Sequence, residues 1–215
     1  MKCYCYETET EFVFCVEDAE IAYEDNIQAA WFTKIGGKFL KIYPHDIEDK
    51  ELLKVNFSHL GEPMFKAGGQ WESVLLTFAE KCRANGIEWY IIGSVSEAVV
   101  GVDIKPHDMD IVVHVRDFYR VKSIFLDFLI EPFVDNKGTW LVRYFGRLCL
   151  NGVMIDIAAD HRMNKENHTY DSISWNGYNL EVEPLKARYA IELQRDRKDR
   201  IRAIEDYLRS KEQSS

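Results

Sequence analysis

Two segments decide how this chain is read: Ile91-Ile92-Gly93-Ser94-Val95-Ser96-Glu97 and, after a spacer, Pro106-His107-Asp108-Met109-Asp110-Ile111-Val112-Val113. In the first, the apolar run over 87–92 reads as a buried strand, and Gly93-Ser94 turns it into a short helix running toward Val100. Ser94 and Glu97 have the spacing of a reciprocal capping box, so Ser94 is expected at the helix N-cap. In the second, residues 107–115 read as a strand. Side chains two apart on a strand share a face, so Asp108 and Asp110 project from one side near its start. A turn cap after Pro106 explains Asp108 alone but not Asp110 deeper in the strand. Two carboxylates so placed repel unless a cation lies between them, and oxygen-rich Mg²⁺ coordination supplies one.

Working outward, Asn151-Gly152 signals a two-residue turn joining a strand over 140–150 to one over 153–158. On the second strand, alternation sets Asp156 opposite the apolar Val153, Ile155 and Ile157. A lone carboxylate in an apolar strand needs a partner, and two remain open at this level. With Asp108 and Asp110 it makes a trio able to hold two Mg²⁺ ions, clamp a nucleotide's phosphates and activate an attacking hydroxyl, which points to phosphoryl or nucleotidyl transfer. The alternative is a buried ion pair with Arg143 or Arg147 on the adjoining strand.

The surrounding periodicity predicts the α+β class: a mixed β-sheet flanked by helices, with C-terminal helices. Trp71, Val74, Leu75, Phe78, Ala79 and Cys82 form one helix face that stops at Asn85-Gly86. Phe118, Val121, Phe125, Phe128 and Leu129 mark another helix. Asn176-Gly177 joins strands over 172–175 and 178–182, and the chain reads helical from Pro184 to about Leu208. In front of this body, residues 11–16 predict a strand, 31–43 a hairpin turning at Gly36-Gly37, and 46–60 a helix. Ala67-Gly68-Gly69 is the expected joint, dividing an N-terminal α+β segment over 1–67 from a body over 68–215.

Taken together, Gly93-Ser94, the Asp108-x-Asp110 strand and Asp156 on a later strand resemble the nucleotidyltransferase superfamily related to DNA polymerase β. Gly101-x-x-x-x-Pro106-His107-Asp108-x-Asp110 and the late segment Arg195-Asp196-Arg197-Lys198-Asp199 look like its small-molecule branch, the aminoglycoside and lincosamide nucleotidyltransferases. The resemblance covers residues 71 to 208. It implies an enzyme in which Asp108, Asp110 and Asp156 are catalytic and hold Mg²⁺, while Gly93 and Ser94 hold the outgoing phosphates. The nucleoside triphosphate is expected to be ATP, with Lys186, Lys198, Arg188 and Lys105 as candidates to neutralise its charge. Where the family often has a second Gly or an Arg after Gly-Ser, this chain has Val95-Ser96-Glu97. Asp160, beyond the end of the Asp156 strand, is a loop residue outside the core site. His107 faces away from the carboxylate pair by alternation.

The 215 residues, 47% hydrophobic and 29% charged, suit one globular domain with a small appendage. A formal charge of −9 argues against a broad nucleic-acid surface. Residues 1 to 70 carry 13 acidic and 7 basic side chains, Glu17, Asp18 and Glu20 among the former. That acidity leans toward a cationic acceptor such as an aminoglycoside antibiotic. No apolar run approaches ~18 residues, and Glu7, Glu9 and Glu11 stand where a signal peptide is apolar, so a cytoplasmic protein without a membrane partner is expected. Five scattered cysteines are expected to be reduced, with Cys3 and Cys5 as ordinary strand residues. Two further readings remain open: a nucleotidyltransferase acting on a protein or RNA partner, and a nucleotide-binding regulatory module without turnover.

Overall fold

The described residues at the front of the chain form four strands, β1 (Lys2–Glu7), β2 (Glu11–Glu17), β3 (Thr33–Ile35) and β4 (Lys38–Pro44), followed by α1 (Lys50–Phe65). The computed structural model describes residues 1–17, 32–66 and 69–213. The strands make an antiparallel sheet in the order β1-β2-β4-β3. Then follow α2 (Trp71–Ala84), β5 (Trp89–Ile92), α3 (Gly93–Val100), β6 (Asp108–Val113), α4 (Phe118–Ile124) and β7 (Leu129–Asp135). The chain ends with β8 (Tyr144–Leu150), β9 (Val153–Ala159), β10 (Asp171–Trp175), β11 (Tyr178–Val182), α5 (Leu185–Gln194) and α6 (Lys198–Glu212). Its seven strands form a second sheet in the order β10-β11-β5-β6-β9-β8-β7. The β11–β5 and β6–β9 pairs are parallel and the others antiparallel, which makes this the expected mixed α+β sheet.

Both Asn-Gly turns are present. Asn151 and Gly152 have φ of 48° and 78°, and Asn176 and Gly177 of 47° and 81°, the paired positive angles of a two-residue hairpin loop. The two sheets share one apolar cluster, which runs from Phe12, Phe14 and Phe57 at the front to Phe78, Ile111 and Ile155 in the body. Phe14 meets Phe57 edge-on at 5.1 Å, and the Asn56 amide ties α1 to the carbonyls of Leu126 and Leu129 at 2.8 and 2.9 Å.

Four expectations move. The front helix runs over Lys50–Phe65, later than 46–60, with Pro63 in its last turn. The capping box does not form: α3 starts at Gly93, its N-cap position is Ile92, and Ser96 rather than Ser94 bonds a helix-start carbonyl, that of Gly93 at 2.7 Å. The helix expected through Leu129 stops at Ile124, and Leu129 opens β7. The four-residue spacing of Phe125 and Leu129 imitates a helix face there, while Pro132 is tolerated because β7 is an edge strand whose pairing shifts register between Glu131 and Val134. The terminal helix is broken between α5 and α6, where Asp196 takes φ 52°. Trp31 and the Ala67-Gly68 part of the expected joint lie outside the described residues. The five cysteines are unbridged, Cys3 and Cys5 lie in β1, and no described helix is long and apolar enough to cross a membrane.

Candidate active site

Strand register, more than any motif, assembles the site. Ile92 on β5 pairs with Asp110 on β6, Asp110 with Asp156 on β9, Asp156 with Arg147 on β8, and Arg147 with Glu131 on β7. These residues therefore form one row across the large sheet, on a common face. Asp108, two residues before Asp110, joins that face. A cavity of about 440 Å³ opens over it, lined by Gly93, Ser94, Asp108, Asp110 and Asp156 among others.

At one end of the row the charges are matched. Arg147 is fully buried and grips Asp156 through Nε to Oδ1 at 2.5 Å and Nη2 to Oδ2 at 3.0 Å. Its Nη1 also donates to both Glu131 oxygens, at 2.9 and 3.0 Å. Glu131 accepts two further bonds from the small sheet, from Lys41 Nζ at 2.6 Å and the Tyr43 hydroxyl at 2.8 Å. Of the two partners left open for Asp156, the structure supplies Arg147. Arg143 instead pairs with Asp135.

Arg147 and Lys41 offset Asp156 and Glu131, which leaves Asp108 and Asp110 as the uncompensated carboxylates of the face. Neither makes a side-chain hydrogen bond or ion pair among the described residues. Burial, with the Asp156 charge beside it, pushes the Asp108 carboxyl up to about 6, and burial together with Asp108 raises Asp110 well above the ordinary carboxylate range. Burial also raises Asp156, against the pull of Arg147. Two unpaired carboxylates with oxygen donors and a charge of about −2 fit one divalent cation such as Mg²⁺. Asp156 has both oxygens engaged by Arg147, and no group of three His, Cys, Asp or Glu side chains able to hold a metal occurs among the described residues.

Gly93 is required where it stands. Its φ is +67°, and a Cβ there would collide with Asp110 Oδ2. Gly93→Ala is expected to cost about 1–2 kcal/mol through backbone strain alone and more through displacement of Asp110. Thermal unfolding checks this, and an unchanged melting temperature would refute it. Ser94, inside the first turn of α3, has a hydroxyl with no partner among the described residues and lines the cavity.

Arginines form another part of the lining, and three of the four are ion-paired, Arg197 with Glu192 at 3.5 Å and Arg188 and Arg200 with Glu97. Arg188, Arg195, Arg197 and Arg200 of α5, α6 and the break between them line the cavity, and so does His107, which strand alternation predicts to face away from the carboxylate pair. Arg188 is buried and donates to Glu97 at 2.9 Å, with Glu183 at 3.4 Å and Glu192 also bound. Glu97, expected as a capping partner, is instead a buried anchor for Arg188 and Arg200. Lys186 and Lys198 are exposed and do not line the cavity. Lys105 is exposed as well, and Asp160 is paired with Arg162. The sequence reading therefore locates the carboxylates, the glycine turn and Arg188, but Arg195 and Arg197, offered only as part of a late segment, and Arg200, which it did not single out, take the place given to the lysines. It gave no role to Trp140 and Phe145, which also line the cavity.

The raised carboxylates fix the sign of a pH effect. A group whose folded value lies above its ordinary 3.8 binds protons preferentially in the folded state, so its contribution to metal-free stability falls as pH rises from about 4 to about 6. In chelator, the melting temperature of Asp108→Asn is expected to gain on that of the unaltered chain across that interval. Parallel curves for the two proteins would refute the assignment.

No protein-family model matches the chain, and no curated protein matches it. Among solved structures, the chain is similar to an inferred nucleotidyltransferase from Thermotoga maritima, with a TM-score of 0.50 and 19% identity over 65% of this chain and 93% of that one. It also matches ANT(2'')-Ia in complex with adenylyl-2''-tobramycin, with a TM-score of 0.45 and 9% identity over 63% of this chain and 88% of that one. The first of these likenesses shows that the chain shares its fold with that protein.

Proposed function

We propose that the chain is an enzyme that transfers a nucleoside monophosphate from a nucleoside triphosphate to the hydroxyl of a small molecule. ATP is the nucleotide implied by the resemblance of the Gly101 to Asp110 segment to the small-molecule branch of the fold. The observation that carries the reading is the pair Asp108 and Asp110, without an ion pair on a face whose other carboxylates have one, beside a positive-φ glycine turn in a cavity that arginines also line. Asp108 and Asp110 would hold Mg²⁺, which when bound neutralises their repulsion and stabilises charge on the transferring phosphate. Ser94 and the arginine wall take the leaving phosphates, since charge-assisted bonds to guanidinium groups are strong and directional.

Asp156, oriented by Arg147, stands at the far side of the pair and receives the proton of the acceptor hydroxyl. The acceptor oxygen forms its bond to the α-phosphorus, the bond from that phosphorus to the bridging oxygen breaks, and pyrophosphate leaves on the arginine side. The test is incubation of the full chain with Mg²⁺, each labelled nucleoside triphosphate and an acceptor panel, following pyrophosphate. Release that requires both Mg²⁺ and acceptor supports the reading. Nucleotide binding without turnover on any small molecule, protein or RNA would make the chain a binding module.

A further inference from the structure

The cavity has two chemically distinct sides, and the sheet order fixes which faces which substrate. From the arginine wall the order runs through Gly93 and Ser94 after β5, Asp108 and Asp110 on β6, and Asp156 on β9 to Phe145 on β8. At that last position the lining is apolar: Trp140, Leu141, Val142 and Phe145. In phosphoryl transfer the attacking and leaving oxygens lie roughly in line. Pyrophosphate departs toward the arginines, so the acceptor hydroxyl arrives from the β9 and β8 side, across this apolar arc.

Trp140 and Leu141 keep 42% and 76% of their surface exposed. Trp140 sits edge-on to Phe145, with ring centroids 4.9 Å apart and planes at 80°. Exposed apolar side chains grouped at the mouth of a polar cavity mark a ligand surface. The charges beside them are already matched. Asp135 accepts from Arg143 at 3.0 and 2.9 Å, and Asp160 from Arg162 at 2.9 and 2.8 Å. Among the described residues, no carboxylate of the front third lines the cavity either. Glu7 is bound by Lys50 and Lys54, Glu17 by Lys38 and Tyr4, and neither lines the cavity, while Asp18 and Glu20 lie outside the described residues. Among the described residues only Asp108, Asp110 and Asp156 put a carboxylate into the cavity lining, and Asp156 is already paired with Arg147.

We infer that the acceptor is an uncharged small molecule whose hydroxyl is carried on or beside a planar apolar ring, and that Trp140 stacks that ring. The inference rests on the nucleotidyl-transfer reading and departs from the cationic acceptor suggested by the front-third charge. The experiment uses the full chain with Mg²⁺ and labelled ATP, and three acceptor arms: neutral phenols and ring-bearing alcohols, aminoglycosides, and neutral acyclic polyols. Transfer is expected in the first arm. Trp140→Ala is expected to raise the acceptor KM about tenfold and to leave the affinity for a non-hydrolysable ATP analogue within about twofold, while Trp140→Phe keeps most of the acceptor affinity. Preferential transfer to aminoglycosides or acyclic polyols overturns the inference alone. So does a Trp140→Ala variant that loses ATP-analogue affinity instead, because the ring then holds the nucleobase. Failure to bind the analogue, with no pyrophosphate from any arm, overturns the nucleotidyl-transfer reading and this inference with it.

Discussion

Asp110→Asn is expected to abolish nucleotidyl transfer while raising the melting temperature of the metal-free protein. The two effects have one cause. Asp110 and Asp108 share a strand face, neither makes an ion pair among the described residues, and burial holds both above the ordinary carboxylate range against the pull of nearby arginines. Metal-free folding must therefore either confine two like charges that the unfolded chain keeps apart in water or take up a proton to avoid it, and both cost stability at neutral pH. Asparagine keeps the shape against Gly93 and removes one of them. For catalysis the same change removes half of the candidate metal-holding pair. Loss of a charge-stabilising group of this kind lowers turnover by about 10³-fold or more, roughly 4 kcal/mol of transition-state stabilisation.

Mg²⁺ should raise the melting temperature of the unaltered chain, since a ligand that binds only the folded state stabilises it by mass action. The shift should be small or absent for Asp110→Asn. Calorimetric melting with and without Mg²⁺, alongside pyrophosphate release, reads both effects. A variant that melts lower without metal, or that retains near-normal transfer, would make Asp110 a structural carboxylate.

Much of this was legible in the sequence because it depends on local pattern. Period-two alternation put Asp108 and Asp110 on one face, and the two Asn-Gly pairs named their hairpins through the φ they tolerate. What escaped depends on register and on distant partners. Nothing local distinguishes Arg143 from Arg147 as the partner of Asp156; the pairing of β8 with β9 does, by placing Arg147 opposite it. Glu97 three residues after Ser94 imitates a capping box, and only the approach of α5 shows that its carboxylate belongs to Arg188. Lys186 and Lys198 were plausible by charge, but the break at Asp196 turns other residues, Arg195 and Arg197, toward the cavity. The front third, which the family resemblance does not cover, reaches the site through Lys41 and Tyr43 on Glu131, a contact across about 90 residues of chain.

That contact sets the second large effect. Arg147→Met is expected to destabilise the protein by about 3–5 kcal/mol, the range for removing one partner from a buried ionic network. Arg147 has no exposed surface and is the shared partner of Asp156 and Glu131, so methionine leaves Asp156 without that charge partner and Glu131, among the described residues, with Lys41 and Tyr43. The loss has a defined pH dependence. In the unaltered chain, burial opposes ionisation of Glu131, but Arg147 and Lys41 hold it down to about 2, below its ordinary 4.5. Its stabilising contribution is therefore present above about 4.5 and lost as pH falls toward 2. Without Arg147, both buried carboxylates favour their protonated forms, so the deficit of the variant should widen from pH 4 to pH 7. Denaturant unfolding at the two pH values measures it. Arg147→Met combined with Asp156→Asn should recover part of the stability, because the double variant no longer buries an unpaired Asp156 charge, and should recover none of the turnover. A single variant within about 1 kcal/mol of the unaltered chain at pH 7 would mean that the row of charges, however well formed, does not hold the site together.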